Sequence, residues 1–150
     1  MIKSDSEMFV SMDRFEVGNR SVSDVVMKAI DEKKPVFAMS FHNGFQNFDY
    51  SPVESLVIED VVTKAMRLMF ETPSGLLHML TTDADQKFFT CGRGFIEAAR
   101  IAAMDVFLDS RGFRCKLVIK ENLGISEHRM ARVEVAYNHS MFVNDILVKA

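Results

Sequence analysis

Short segments in which apolar and polar residues alternate, separated by turn residues, constrain the fold of this chain most strongly. Alternation with a period of two places one face of a strand in a core and the other toward solvent. The Asn-Gly pair at residues 43–44 predicts a tight hairpin between strands at residues 36–41 and 45–50, because both central residues of such a turn need positive φ. Thr-Pro-Ser-Gly at residues 72–75 predicts a second turn. We therefore expect an all-β fold.

The same patterns place further strands and two short helices. Met66, Leu68 and Phe70 alternate as one strand face should. Ser21, followed three residues later by Asp24, forms an acidic variant of the capping box that starts a helix. The strands are expected at residues 65–71, 76–82, 113–121 and 130–137. The helices are expected at residues 21–30 and 95–104.

The composition is typical of one compact domain without nucleic-acid or membrane partners. A length of 150 residues with 48% apolar and 26% charged residues suffices for a single core, so we expect one domain over residues 1–150. The net charge of -3 argues against nucleic acid, because phosphate binding requires clustered lysine and arginine. No apolar run approaches the roughly 18 to 20 residues that span a bilayer. Residues 1–9 lack the pattern of a secretory signal, so we expect a cytosol-like location.

The cysteines and the large apolar residues give no sign of a cofactor. Cys91 and Cys115 lie far apart and outside any CxxC spacing, which predicts two reduced thiols in strands and no metal site. The chain has 11 Met and 13 Phe but no Trp. These residues are expected mainly to fill an irregular β core, and the excess leaves room for an assembly surface.

The last stretch of the chain, residues 132–150, reads RVEVAYNHSMFVNDILVKA. It resembles the C-terminal segment of Hint domains, the self-processing module of inteins and hedgehog proteins. The matching residues are His139, Phe142, Asn144, Asp145, Ile146, Leu147 and Val148. Lys149 and Ala150 stand where that family has a terminal His-Asn pair. The resemblance implies the horseshoe-shaped, all-β Hint fold.

Residues 76–109 read LLHMLTTDADQKFFTCGRGFIEAARIAAMDVFLD and resemble the second conserved block of the same family. The matches are Phe88-Phe89-Thr90, Gly94-Phe95-Ile96-Glu97-Ala98 and Met104-Asp105-Val106. The family's catalytic histidine falls on Asp85 if Thr82 anchors the alignment, and on Gln86 if Thr90 does. Neither side chain can protonate an amide nitrogen at neutral pH as an imidazolium can. His78, near the start of this segment, is expected to be a half-buried structural histidine.

The two ends of the chain also depart from the family's chemistry. Hint domains begin with a cysteine or serine that attacks the preceding carbonyl, and Met1 offers neither group. Ala150 has no side-chain amide, whereas the family's terminal asparagine cyclises on its own carbonyl with help from the preceding histidine. The nearest hydroxyls are expected to serve in turns or caps. They belong to Ser4, Ser6 and Ser11.

The resemblance therefore implies a Hint domain that has lost its catalysis and serves as a structural or interaction protein. Its partners would be other proteins or further copies of itself. Standalone intein relatives occur in phage genomes, so a virion component, with a cytoplasmic or virion location, is expected by analogy. The vestigial site positions are Asp85, Gln86, His139, Lys149 and Ala150.

Two alternatives stay open. The first is a self-processing domain with an atypical nucleophile, taken from Ser4, Ser6, Cys91 and Cys115. The second is a binding module that uses the old active-site cleft. It would place His139, Asp85 and Thr82 around one concave pocket.

Overall fold

A computed structural model describes residues 1–13, 16–42 and 47–150. In this part of the chain strands dominate, and no helix is long and apolar enough to cross a membrane. The predicted all-β class is confirmed. The strands are β1 Ile2–Lys3, β2 Glu7–Asp13, β3 Glu16–Ser21, β4 Phe37–His42, β5 Asn47–Glu71, β6 Leu77–Asp83, β7 Lys87–Thr90, β8 Gly94–Glu97, β9 Val106–Leu108, β10 Arg114–Val135, β11 Ser140–Val143 and β12 Ile146–Lys149. The helical segments are α1 Val22–Val26, a π-helical turn Met27–Asp31 and a 3₁₀ turn Ala98–Arg100.

Two long strands form the frame of the molecule. β5 has 25 residues and β10 has 22, and they pair antiparallel from Glu71 opposite Lys116 to Val53 opposite Val135. The strands predicted at residues 113–121 and 130–137 are therefore parts of one strand. Nearly all side chains from residue 118 to 129 are exposed. Because neither face there packs in a core, the sequence shows no alternation that would reveal a strand.

β5 joins the two halves of the sheet. Its first part pairs with β4, with Asn47 opposite His42, and its last part pairs with β6, with Glu71 opposite Leu77. The strand order is β8-β7-β12-β11-β2-β4-β5-β6-β1-β10-β9, with β3 beside β2. β1 thus lies between β6 and β10, and β12 lies between β7 and β11. This order brings residue 1 and residue 150 toward the turn that connects β6 to β7.

Aromatic side chains fill the core where the two halves meet. Phe70 of β5, Phe88 of β7 and Phe107 of β9 are fully buried. The ring centroid of Phe70 lies 4.8 Å from that of Phe107 and 5.7 Å from that of Phe88. Met66 and Leu68 are buried on the same face of β5 as Phe70, so the predicted alternation is confirmed.

The local turn and capping signals are confirmed where the structure describes them. Ser21 Oγ accepts a hydrogen bond from the Asp24 amide at 3.2 Å and caps α1. Gly75 has φ +87° and donates its N–H to the Thr72 carbonyl at 2.9 Å, which closes the turn between β5 and β6. The Asn-Gly turn predicted at residues 43–44 lies outside the described residues.

The helix predicted at residues 95–104 is wrong. Gly94–Glu97 is instead a strand paired with β7, and only the 3₁₀ turn Ala98–Arg100 follows it. Phe95 lies opposite Phe89, with ring centroids 5.6 Å apart. A helix would lose this cross-strand aromatic contact, so tertiary packing overrides the helical spacing of the alanines.

Candidate functional site

The two ends of the described chain meet in a cleft of about 340 Å³. Four of the five predicted vestigial positions lie there, together with residue 1. The lining residues are Met1, Asp85, Gln86, Lys87, Val133, Lys149 and Ala150. The arrangement follows from the strand order, because β1 and β12 both run beside the strands that flank the turn at residues 84–86.

Asp83 ties the start of the chain to this turn. Its Oδ1 accepts hydrogen bonds from the Met1 nitrogen at 3.1 Å and from the Gln86 amide at 2.9 Å. The Asp83 amide donates to the Met1 carbonyl at 3.1 Å. Asp83 is not among the site residues predicted from the sequence, although it directly follows Thr82 in the segment that resembles the conserved block.

Gln86 ties the same turn to the other end of the chain. Its side-chain Nε2 donates to the Lys149 carbonyl at 2.8 Å and to the Lys87 carbonyl at 3.2 Å. Gln86 is buried, whereas Asp85 is exposed. Of the two positions that the alignment allowed for the catalytic histidine, the one that reaches into the site is therefore Gln86. Its amide can hold a carbonyl in place but cannot deliver a proton at neutral pH.

His139 contributes its backbone to the site and not its ring. Its carbonyl accepts the Ala150 N–H at 2.8 Å, and the residue is exposed with φ +50°. Thr82 is fully buried and donates its hydroxyl to the Asp83 carbonyl at 2.9 Å. Neither residue is among those that line the cleft. Of the three residues that the binding-module alternative places around one pocket, Asp85 alone lines this cleft, and His139 and Thr82 do not.

None of the predicted alternative nucleophiles lines this cleft. Ser6 is buried, and its backbone N–H donates to the Lys3 carbonyl while its carbonyl accepts from the Val22 N–H of α1. Cys115 is buried in β10, where desolvation, followed by the negative charge of Asp109, raises the pKa of its thiol to about 12. A thiol with such a pKa is almost entirely protonated at neutral pH and is a poor nucleophile.

Cys91 lies elsewhere, in an aromatic cleft of about 470 Å³. It is exposed and belongs to a turn, so the prediction that both cysteines lie in strands is correct for Cys115 alone. This aromatic cleft is larger than the cleft at the chain ends, but neither Met1 nor Ala150 lines it. Its lining residues are Phe41, Phe48, Phe89, Thr90, Cys91, Gly92, Gly94, Leu108, Gly112 and Arg114.

The second conserved block is stabilised by an ion pair. Arg93 donates to both carboxylate oxygens of Asp105, at 2.9 Å from Nε and 2.6 Å from Nη2, and the Ala102 amide donates to Oδ2 at 2.7 Å. The hydrogen bond from Arg93 holds the pKa of Asp105 below its usual value. Asp105 therefore fixes the turn before β9, a structural role for the matched Met-Asp-Val motif.

Comparison with known proteins identifies the fold. No protein family and no curated protein sequence matches the chain. Solved structures match over nearly the whole length. The DnaB intein from Synechocystis sp. PCC 6803 has a TM-score of 0.78 at 16% identity, over 99% of this chain and 96% of the intein. An intein from a hyperthermophile has a TM-score of 0.80 at 11% identity, over 99% of this chain and 98% of that one.

A third similar structure is a bacterial intein-like domain from Clostridium thermocellum. Its TM-score is 0.75 at 18% identity, over 99% of this chain and 97% of the domain. Identities this low establish a shared fold and not a shared activity. Together with the strand order and the meeting of the chain ends, they show that this chain has the Hint fold that inteins have.

Proposed function

We propose that this Hint domain does not process itself and serves as a structural or interaction protein. The observation that carries the proposal is the hydrogen bond from Gln86 Nε2 to the Lys149 carbonyl at 2.8 Å. It places a neutral amide, which holds two segments together, where the family resemblance expects a proton donor.

Each step of Hint chemistry lacks its reacting group in the cleft. An acyl shift needs a thiol or hydroxyl at residue 1, and the thioether of Met1 has no proton to lose and forms no stable acyl product. Release at the other end needs a side-chain amide, and Ala150 carries a methyl group. Lys149 directs its ammonium toward the Phe95 ring, 5.8 Å from the centroid.

Hydrogen bonds in the cleft support a structural role, in which the site keeps the two ends of the described chain together. Asp83 binds the Met1 nitrogen, Gln86 binds the Lys149 carbonyl and the His139 carbonyl binds the Ala150 amide. Each bond of this kind contributes about 0.5 to 1.5 kcal/mol, and more where a charged group takes part. A segment joined to residue 1 and a segment joined to residue 150 would both start at this cleft. The hydrogen bonds described above hold the walls of the cleft together.

Intact mass of the chain with a short inert extension at each end tests the proposal. We expect both extensions to be retained after incubation at neutral pH, with and without added thiol. Clean loss of one extension would instead support the self-processing alternative, and the position of the cut would identify the nucleophile. A Cys91→Ser variant, run in parallel, would show whether the one exposed thiol among the described residues is responsible.

An exposed apolar row on the sheet supports protein contacts. Ile119 of β10 lies opposite Met69 of β5, which lies opposite Met79 of β6. Met79 is 51% and Ile119 44% exposed, and Leu77 beside them is 51% exposed. Contiguous apolar side chains of this kind are typical of protein interfaces. The virion setting and the cytoplasmic location remain proposals drawn from the resemblance.

Sedimentation over a range of concentrations tests whether this row mediates self-assembly. We expect the wild-type chain to associate at high concentration and Met79→Lys to remain monomeric, because an interface would bury the new charge without a partner. Val62→Lys serves as the control, since Val62 lies outside the row and is 71% exposed. A wild-type chain that is monomeric throughout would exclude self-assembly through this surface.

A further inference from the structure

Three side chains with metal-ligand chemistry converge in the core of the molecule, away from the cleft at the chain ends. They are His78 of β6, Asp109 after β9 and Cys115 of β10. One ligand atom from each lies within 4.8 Å of the others, and all three residues are buried. A fully buried carboxylate such as that of Asp109 is rare unless it is paired or coordinates a metal.

Asp109 has one carboxylate oxygen committed to the fold and one available. Its Oδ1 accepts the backbone N–H groups of Arg111 at 3.0 Å and Phe113 at 2.8 Å, which shapes the turn into β10. Its Oδ2 faces His78 Nε2 at 3.3 Å. Two ligand atoms of a tetrahedral zinc ion, each about 2.0 to 2.1 Å from the metal, stand roughly 3.3 Å apart. This pair is therefore already at the spacing that a shared metal ion requires.

The Asp145 carboxylate lies near the other nitrogen of His78, beyond hydrogen-bonding distance. His78 Nδ1 lies 4.0 Å from Asp145 Oδ2. The other oxygen of that carboxylate accepts from Ser110 Oγ at 2.7 Å and from Asn19 Nδ2 at 3.1 Å. Metal binding at Nε2 would leave the His78 proton on Nδ1, and carboxylates that accept such a proton recur behind zinc-bound histidines. Asp145 would have to move closer to Nδ1 to make this hydrogen bond.

We propose that His78, Asp109 and Cys115 bind a divalent transition-metal ion of the zinc type. Imidazole nitrogen and thiolate sulfur select such an ion over Mg²⁺ or Ca²⁺. The Cys115 sulfur has to close by roughly 1 Å to reach bonding distance, given zinc–sulfur bonds of about 2.3 Å. The fourth position is left for water. The neighbouring Asp145 side chain is 32% exposed.

The site would connect β6, the turn into β10 and the turn between β11 and β12. Binding converts the Cys115 thiol to a thiolate and releases its proton to solvent, while His78 binds as the neutral ring. None of these residues lines the cleft at the chain ends. The metal site is thus independent of the proposed loss of self-processing, and each can fail without the other.

Titration of chelator-treated protein with Co²⁺ tests the site. We expect one equivalent to bind with a thiolate-to-cobalt charge-transfer band and the visible bands of tetrahedral cobalt, and zinc to remove both. Cys115→Ser should lose the charge-transfer band. The matched control Cys91→Ser, at the exposed cysteine, should keep it. Asp145→Asn should weaken the affinity about 10- to 100-fold, as loss of such a partner does at other sites.

X-ray absorption at the zinc edge of the wild-type protein covers the case in which Cys115→Ser does not fold. It should show one sulfur and one imidazole nitrogen bound to the metal. Absence of cobalt bands in the wild-type protein, a band that depends on Cys91 instead of Cys115, or a zinc shell without sulfur would each overturn the proposal. The cluster would then be a hydrogen-bonded His-carboxylate network.

Discussion

Replacing Lys149 by histidine and Ala150 by asparagine, in a chain extended beyond residue 150, is expected to start cleavage after residue 150. The new side-chain amide can attack its own main-chain carbonyl, forming a cyclic imide and breaking the following peptide bond. The neighbouring imidazole can protonate the departing amine. A positioned acid contributes about 10²- to 10⁴-fold, so the double variant should cleave faster than Ala150→Asn by that factor. Intact mass over time measures both rates.

Lys149→His alone is the matched control, because it has the acid and no amide and should retain the extension. The outcome distinguishes two possible causes of the proposed loss of self-processing. Cleavage in the double variant means that the cleft keeps a productive geometry and lacks only the reacting groups. A folded double variant that keeps its extension for as long as the control would contradict this, and would mean that the cleft itself has changed.

Replacing Phe70 by alanine is expected to destabilise the domain by about 3 to 5 kcal/mol. Phe70 is fully buried and its ring contacts Phe88 and Phe107, so the change leaves a cavity where the two halves of the sheet meet. The melting temperature should fall by roughly 6 to 20 °C for a chain of this size. Urea unfolding followed by circular dichroism measures the free energy.

Phe113→Ala is the control for the loss of an aromatic ring. Phe113 is 48% exposed, and Arg111 lies 5.6 Å from its ring centroid. An exposed contact of that kind is worth about 0.5 to 1 kcal/mol. Equal losses for the two variants would mean that the aromatic cluster around Phe70 does not carry the core.

The family motif located the cleft because the positions that align with the family's catalytic residues form the walls of the site. Gln86, Lys149 and Ala150 were chosen by alignment, and the fold brings them together. The alignment could not say which of Asp85 and Gln86 points inward, because a shift of one residue reverses the face of a segment. Burial of Gln86 decides this in the structure.

Local sequence patterns do not reveal which residues distant in sequence come together in the fold. His78 and Cys115 are separated by 36 intervening residues and meet only because β6 and β10 both flank β5. The helical spacing at residues 95–104 was misread for a related reason. Its alanines fit a helix, but the requirement to cover Phe89 with Phe95 is visible only in the pairing of β7 with β8.

The interior position of the first strand has a consequence for how the domain forms. Ile2 pairs with Thr82 on one side and with Ala131 on the other. β1 therefore lacks one of its two neighbouring strands until residue 131 has been synthesised. Contacts between residues so distant in sequence form slowly. The domain should close late, after synthesis of residue 131, with its N-terminal strand paired on at most one side until then.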